Sequence, residues 1–168
     1  MGVNPAAQAA QVAASLYGAV VPGGAKSLPA STTGHIFTVA TGRVIVTSLT
    51  GVISTAIQAQ ATTLSVGNTP TGGSASTASF CATLDLTGKA AGVSLAVPQA
   101  KASALMSSGA DGTLLFSTTS GAQGVTVQVI APVPAGTIDV TTVATSTGAI
   151  TWTVTYVPYD AGATVTAL

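Results

Sequence analysis

Glutamate is absent from this 168-residue chain, and every other charged residue is scarce. Lys26, Arg43, Lys89 and Lys101 face Asp85, Asp111, Asp139 and Asp160; together they make 5% of the sequence and a net charge of zero. A soluble domain ordinarily carries about 25% charged residues. Four scattered cations cannot form a phosphate-tracking stripe, and the three Tyr and three Phe are not interleaved with them, so nucleic acid is not an expected partner. The single cysteine, Cys81, excludes a disulfide framework. Its setting, Ala78-Ser79-Phe80-Cys81-Ala82, suits a small buried residue better than a reactive thiol. Long apolar runs are also missing. Gln8 and Gln11 interrupt the N-terminal tract and Pro22-Gly23-Gly24 ends it, too soon for a membrane span. No Lys or Arg precedes that tract, so a secretory signal is not expected either.

The same poverty limits chemistry. There is one imidazole, His35, and no Gly-x-Ser-x-Gly elbow to set a nucleophile beside it. Metal ligation needs clustered His, Cys or carboxylate groups, whereas Asp111 and Asp139 stand alone in the sequence. Two distant aspartates could still meet in the fold as a carboxylate pair. Gly23-Gly24-Ala25-Lys26-Ser27 has the look of a phosphate loop, but Ala25 and Val20 occupy the positions where glycines are required. Asn68-Thr69-Pro70 has Pro70 where a glycosylation acceptor needs Ser or Thr. Trp152 and Tyr156 share one strand face, as a core pair or as an aromatic platform for sugars, and their alternation with threonine favours the core. Arg43 follows Gly42 and reads as one half of a structural ion pair, with Asp139 or Asp160 as the other. The expectation is a protein without enzymatic activity: no catalytic, cofactor-binding or metal-binding residue is assigned, and no cofactor.

What is abundant is Ser and Thr, at roughly a quarter of positions, and alternation with a period of two. Ile150, Trp152, Val154 and Tyr156 alternate with Thr151, Thr153 and Thr155; Ile138 and Val140 alternate with Thr137, Asp139 and Thr141; Val125, Val127 and Val129 alternate with Thr126 and Gln128. Such strands bury one face and wet the other. Pro132 to Gly136 and Ser146-Thr147-Gly148 supply corners between them. Further strands are expected at 35–40, at 43–57 after a Thr41-Gly42 turn, at 59–66, at 80–86 and at 93–97, and before 113–117 Asp111-Gly112 marks a turn. Gly51 suggests a bulge or bend. Residues 67–76 read as a loop without core residues, and 98–106 as a short helix or a strand.

Asn4-Pro5 followed by an alanine-rich run to Tyr17, with Gly18 as a stop, predicts a short N-terminal helix. Pro22, Gly23, Gly24, Pro29 and Gly34 mark 21–34 as a linker. The fold class is therefore all-β, an antiparallel sandwich or jelly-roll-like domain over 34–168, preceded by a helix-and-linker arm over 1–33. Phe37, Val39, Val44, Val46, Ile138, Ile150, Trp152, Val154 and Tyr156 are the expected core.

A free monomer normally stays soluble through interspersed charge and a net charge away from zero. This chain has neither, and uncharged Thr/Val strands are prone to edge pairing. Coverage of the surface by other subunits resolves the conflict, and a homo-oligomer is expected; a Ser/Thr-coated secreted monomer is the alternative.

Three runs resemble small β-sandwich structural proteins of tailed bacteriophages, those with jelly-roll or β-tulip domains in capsid decoration and spike components. They are Phe37 to Val46, Ile57 to Leu64, and Pro134 to Asp139 with Gly148 to Pro158. The resemblance spans residues 35 to 160. It implies a virion location, a non-enzymatic role decorating or cementing a capsid, a trimer, and the major capsid protein or other virion proteins as partners. A tail or fibre component and a secreted bacterial adhesin are the alternatives. It supplies no catalytic residues.

Overall fold

The computed structural model describes residues 18–72, 78–98, 102–108 and 130–168. The expected N-terminal helix, the strand at 125–129 and the Asp111-Gly112 turn lie outside these residues. The described chain is all-β, with two six-stranded antiparallel sheets and no helix. Its strands are β1 (Ala19–Ser27), β2 (Thr33–Ala40), β3 (Val44–Thr55), β4 (Thr63–Pro70), β5 (Ala78–Ser79) and β6 (Leu84–Asp85). They continue as β7 (Ser94–Ala96), β8 (Met106–Ser107), β9 (Ile130–Val133), β10 (Gly136–Thr142), β11 (Ala149–Pro158) and β12 (Thr164–Ala167).

One sheet has the order β1-β11-β3-β7-β8 with β9 also paired to β3; the other has β12-β2-β10-β4-β5 with β6 also paired to β4. Four of these pairings are nested in sequence: β1 with β11, β2 with β10, β3 with β7, and β4 with β5. The chain is thus folded back on itself like one long hairpin and divided between two sheets.

The period of two in β11 decides the packing. Ile150, Trp152, Val154 and Tyr156 are buried while the intervening threonines are only partly covered. From the other sheet come Phe37, Val39, Ile138, Val140, Leu64 and Val66, and both sets belong to one apolar cluster. All nine expected core residues are buried. The two sheets make a β-sandwich-like fold.

Glycines fix how closely the layers approach. Gly51 is the partner of Trp152 in the β3–β11 register, and a Cβ there would lie 2.9 Å from Trp152 Cε3 and 2.9 Å from Ile150 Cγ2. The register shifts of this pair fall elsewhere, at Ala149/Ile150 and Thr155/Tyr156. Gly51 is therefore no bulge; it makes room for the indole. Gly23 does the same between sheets, where a Cβ would meet Phe37 Cζ at 3.3 Å and the Trp152 carbonyl oxygen at 2.9 Å.

Three segments differ from expectation. The stretch 21–34 is not simply a linker, because β1 runs along β11 from Ala19↔Tyr156 to Ser27↔Ala149 with a shift between Pro22 and Ala25. Pro22-Gly23-Gly24 is tolerated because β1 is an edge strand and the shift absorbs the irregularity. Nor is the described part of 67–76, residues 67–72, a coreless loop: β4 continues to Pro70, and Asn68 is buried. Pairing with β10 on one side and β5 on the other overrides its turn-forming residues. Between 80 and 86 only Leu84–Asp85 is strand, while Phe80 and Cys81 lie in bends. In 98–106 the described residues Ala102 to Leu105 are non-helical and lead into β8. A last strand, β12, pairs with β2 beyond the expected end of the sheet.

Two substitutions test this packing. Trp152→Ala should cost about 3–5 kcal/mol, and Gly51→Ala about 1–3 kcal/mol through overpacking against the indole, both read from urea midpoints. A loss below about 0.5 kcal/mol for either would contradict the Trp152–Gly51 contact.

Candidate functional site

Three places among the described residues hold the candidate functional groups. The first is on the outer face of the β2/β10/β4 sheet. A shift in the β2–β10 register pairs Phe37 with Ile138 but His35 with Asp139, so Ile36 is the extra residue of β2. The bulge brings the only imidazole of the chain over a carboxylate 104 residues away: His35 Nδ1 lies 2.6 Å from Asp139 Oδ1. The His35 side chain is 56% exposed and that of Asp139 0% exposed. Gly67 is the partner of Asp139 on the other side, in β4, so no third side chain enters the row from that strand. Asp139 Oδ2 is buried without a hydrogen-bond partner. With Nδ1 donating to the carboxylate, Nε2 is the nitrogen presented to solvent.

This arrangement has two parts of a Ser-His-Asp triad. The neighbouring hydroxyls on the same face, Thr33 Oγ1 and Thr141 Oγ1, are bonded to each other at 2.9 Å. Sequence alone gave no reason to join His35 to Asp139; only the bulge in β2 sets them opposite. Asn68 was likewise unread as a buried polar group. Its Nδ2 donates to the Thr137 carbonyl at 2.9 Å, while Oδ1 has no partner.

The second place is the corner where the β2–β3 turn meets the β11–β12 turn. Arg43 Nε donates to Asp160 Oδ2 at 2.9 Å, a terminal guanidinium nitrogen donates to Oδ1 at 2.8 Å, and the Arg43 backbone N–H donates to Oδ2 at 2.8 Å. The guanidinium also stacks 4.6 Å from the Tyr159 ring centre. Of the two aspartates expected as partners for Arg43, it is Asp160. Thr41 and Gly42 both have positive φ, 62° and 136°, and a Cβ on Gly42 would sit 2.8 Å from Asp160 Cβ. The turn thus needs glycine to let the clamp close. Arg43's hydrogen bonds hold the Asp160 carboxyl down to about 2. Asp85 is lowered in the same direction by the Thr87 hydroxyl and backbone N–H, which donate to it at 2.6 and 2.8 Å.

The third place is the outer face of the β1-β11-β3-β7 sheet, where none of the described residues is charged. Its cross-strand rows are Val20–Thr155–Ser48, Pro22–Thr153–Thr50–Ala96 and Ala25–Thr151–Val52–Ser94. Val20 and Val52 are 62% and 45% exposed. Lys26 pairs with core-facing Ile150 and so belongs to the opposite row.

The remaining candidates fall away. Cys81 is buried, and burial pushes its thiol up, against backbone hydrogen bonds involving Val66 and Leu105. Trp152 and Tyr156 lie in the core, so they form no exposed platform. Gly23 to Ser27 is strand, without the turn into a helix that a phosphate loop requires. Among the described residues no three His, Cys or Asp side chains come together as metal ligands, and no helix is long and apolar enough to cross a membrane. Comparison with known proteins returns no matching family model, no matching curated protein and no matching solved structure.

Removing His35 leaves a buried carboxylate with neither oxygen paired. His35→Ala should therefore cost about 2 kcal/mol at neutral pH, and adding Asp139→Asn should recover part of it. An effect of His35→Ala below about 0.5 kcal/mol would show that the pair holds nothing.

The Arg43–Asp160 clamp predicts an acid dependence of known sign. A carboxyl lowered in the folded state stabilises fully above its ordinary value of 3.8 and loses that contribution as pH falls toward about 2. The stability gap between wild type and Asp160→Asn should close over that window. A gap that stays constant from about pH 5 to about pH 2 would contradict the clamp.

Proposed function

We propose that this chain is a non-enzymatic virion structural protein that decorates or cements a bacteriophage capsid as a homo-oligomer, with the major capsid protein as its partner. The observation that carries the reading is the uncharged outer face of the β1-β11-β3-β7 sheet, a side of the molecule that offers shape and neutral area. Such surface can lie against another copy of the chain without the desolvation cost of burying ions, which supports the homo-oligomer, while the capsid partner rests on the sequence resemblance.

The nested pairs β1·β11, β2·β10, β3·β7 and β4·β5 support a jelly-roll reading of the sandwich, an architecture that recurs in viral capsid and lectin domains. The resemblance of the β2–β3 and β10–β11 sequences to phage decoration proteins supports the same reading. Contacts through faces are favoured over added strand pairing. The edge strand β1 contains Pro22 and an irregular register, and the opposite sheet ends in the four-residue β12.

Quantitative mass spectrometry of purified particles carrying the chain is the test. The expected result is a copy number comparable to that of the major capsid subunit. Recovery with isolated tails would move the chain to the tail or fibre. Recovery with cell walls free of particles would point to an adhesin and overturn the proposal.

A further inference from the structure

We propose that the outer face of the β1-β11-β3-β7 sheet is the surface through which this chain associates with a second copy of itself; the inference deepens the homo-oligomer reading above by naming the face. The face is built by the inner strands themselves. Because Ile150, Trp152, Val154 and Tyr156 must point into the core, Thr151, Thr153 and Thr155 must point out, and the register carries Thr50 and Val52 of β3 into the same surface. Short neutral side chains on two long, adjacent strands make a broad surface with little side-chain entropy to lose on contact.

The occupant follows from charge. A partner with an ordinary surface brings Lys, Arg, Asp and Glu to its interface, and the described residues of this face include no ion to pair with them. Each would be stripped of water without compensation. A second copy avoids that cost. With only four cations and four anions in 168 residues, it is a surface as short of charge as this one. Of the described charges, Arg43 and Asp160 hold each other at the corner, Asp85 is bound within its own turn with Lys89 near it, Asp139 lies in the other sheet, and Lys26 belongs to the core-side row of β1.

Area agrees. The three long strands β1, β11 and β3 at ordinary spacing project on the order of 500 Å², and the short β7 adds little because its outward Ala96 is already buried. A pleated surface carrying side chains exposes more than its projection, which approaches the roughly 800 Å² that each partner contributes to a standard interface. Val20 at one border and Val52 toward the other, both exposed, are the apolar points of the surface.

The test uses the full chain and places one charge on each face in turn. Light scattering coupled to size exclusion at micromolar concentration gives the mass of wild type, Thr153→Lys, Val20→Lys and Thr137→Lys. Thr153 is central on this face, Val20 sits at its exposed border where a lysine cannot disturb the sheet, and Thr137 is the counterpart on the outer face of the other sheet. Circular dichroism melts confirm folding of each variant. The expected result is an oligomer for wild type and Thr137→Lys, and a shift to or toward the 16.1 kDa monomer for both Thr153→Lys and Val20→Lys. An oligomer whose mass is unchanged in both of the latter variants overturns this face and leaves the oligomer reading standing. Loss of assembly in Thr137→Lys alone moves the interface to the other sheet and also overturns it. A monomeric wild type overturns the face and the oligomer together.

Discussion

The fold depends on one steric agreement: the Trp152 ring lies where Gly51 has no side chain. Trp152 is the largest fully buried residue, and the β3–β11 register sets it opposite the one position of β3 that can receive it. A slip by one residue would turn Ile150, Trp152, Val154 and Tyr156 outward and bring threonines into the core. Gly23 answers to the same centre, since its backbone lies close to the Trp152 carbonyl and the Phe37 ring. Register, layer spacing and the identity of the outer face are thus consequences of the same contact.

Charge is rationed in a complementary way. Most described ionic groups are committed to local tasks: Arg43 with Asp160 closes a corner, Asp85 caps a turn, and His35 covers the buried carboxylate of Asp139. What remains on the outer face of the β1-β11-β3-β7 sheet is Thr, Ser, Val, Ala and Pro. That distribution is unusual for a surface meant to face water alone, and it is the physical ground for reading the chain as a subunit of an assembly.

The legible part of this structure was periodic and local. The alternation of β11 and β10, the Thr41-Gly42 turn, the buried Cys81 and the nine core residues were all readable, because a period of two assigns faces without knowledge of the partner strand. Elements decided by tertiary pairing were not. β1 is hidden by Pro22-Gly23-Gly24, residues that signal a linker until β11 and the Phe37 ring explain them. The second half of β4 looks like a turn until β10 and β5 flank it. The His35–Asp139 pair depends on a single extra residue, Ile36, and no sequence pattern announces that bulge. Arg43 could be read as an ion-pair partner, but choosing Asp160 over Asp139 required the fold.

If neutral surface rather than ionic contact holds copies together, assembly must be indifferent to screening. Sedimentation velocity of the full chain from about 0.05 M to about 1 M sodium chloride measures this directly, since the screening length shrinks several-fold across that range. The account predicts an oligomer whose mass stays constant or whose association tightens with salt. Dissociation as salt rises would show that charge carries the contact, and would contradict it.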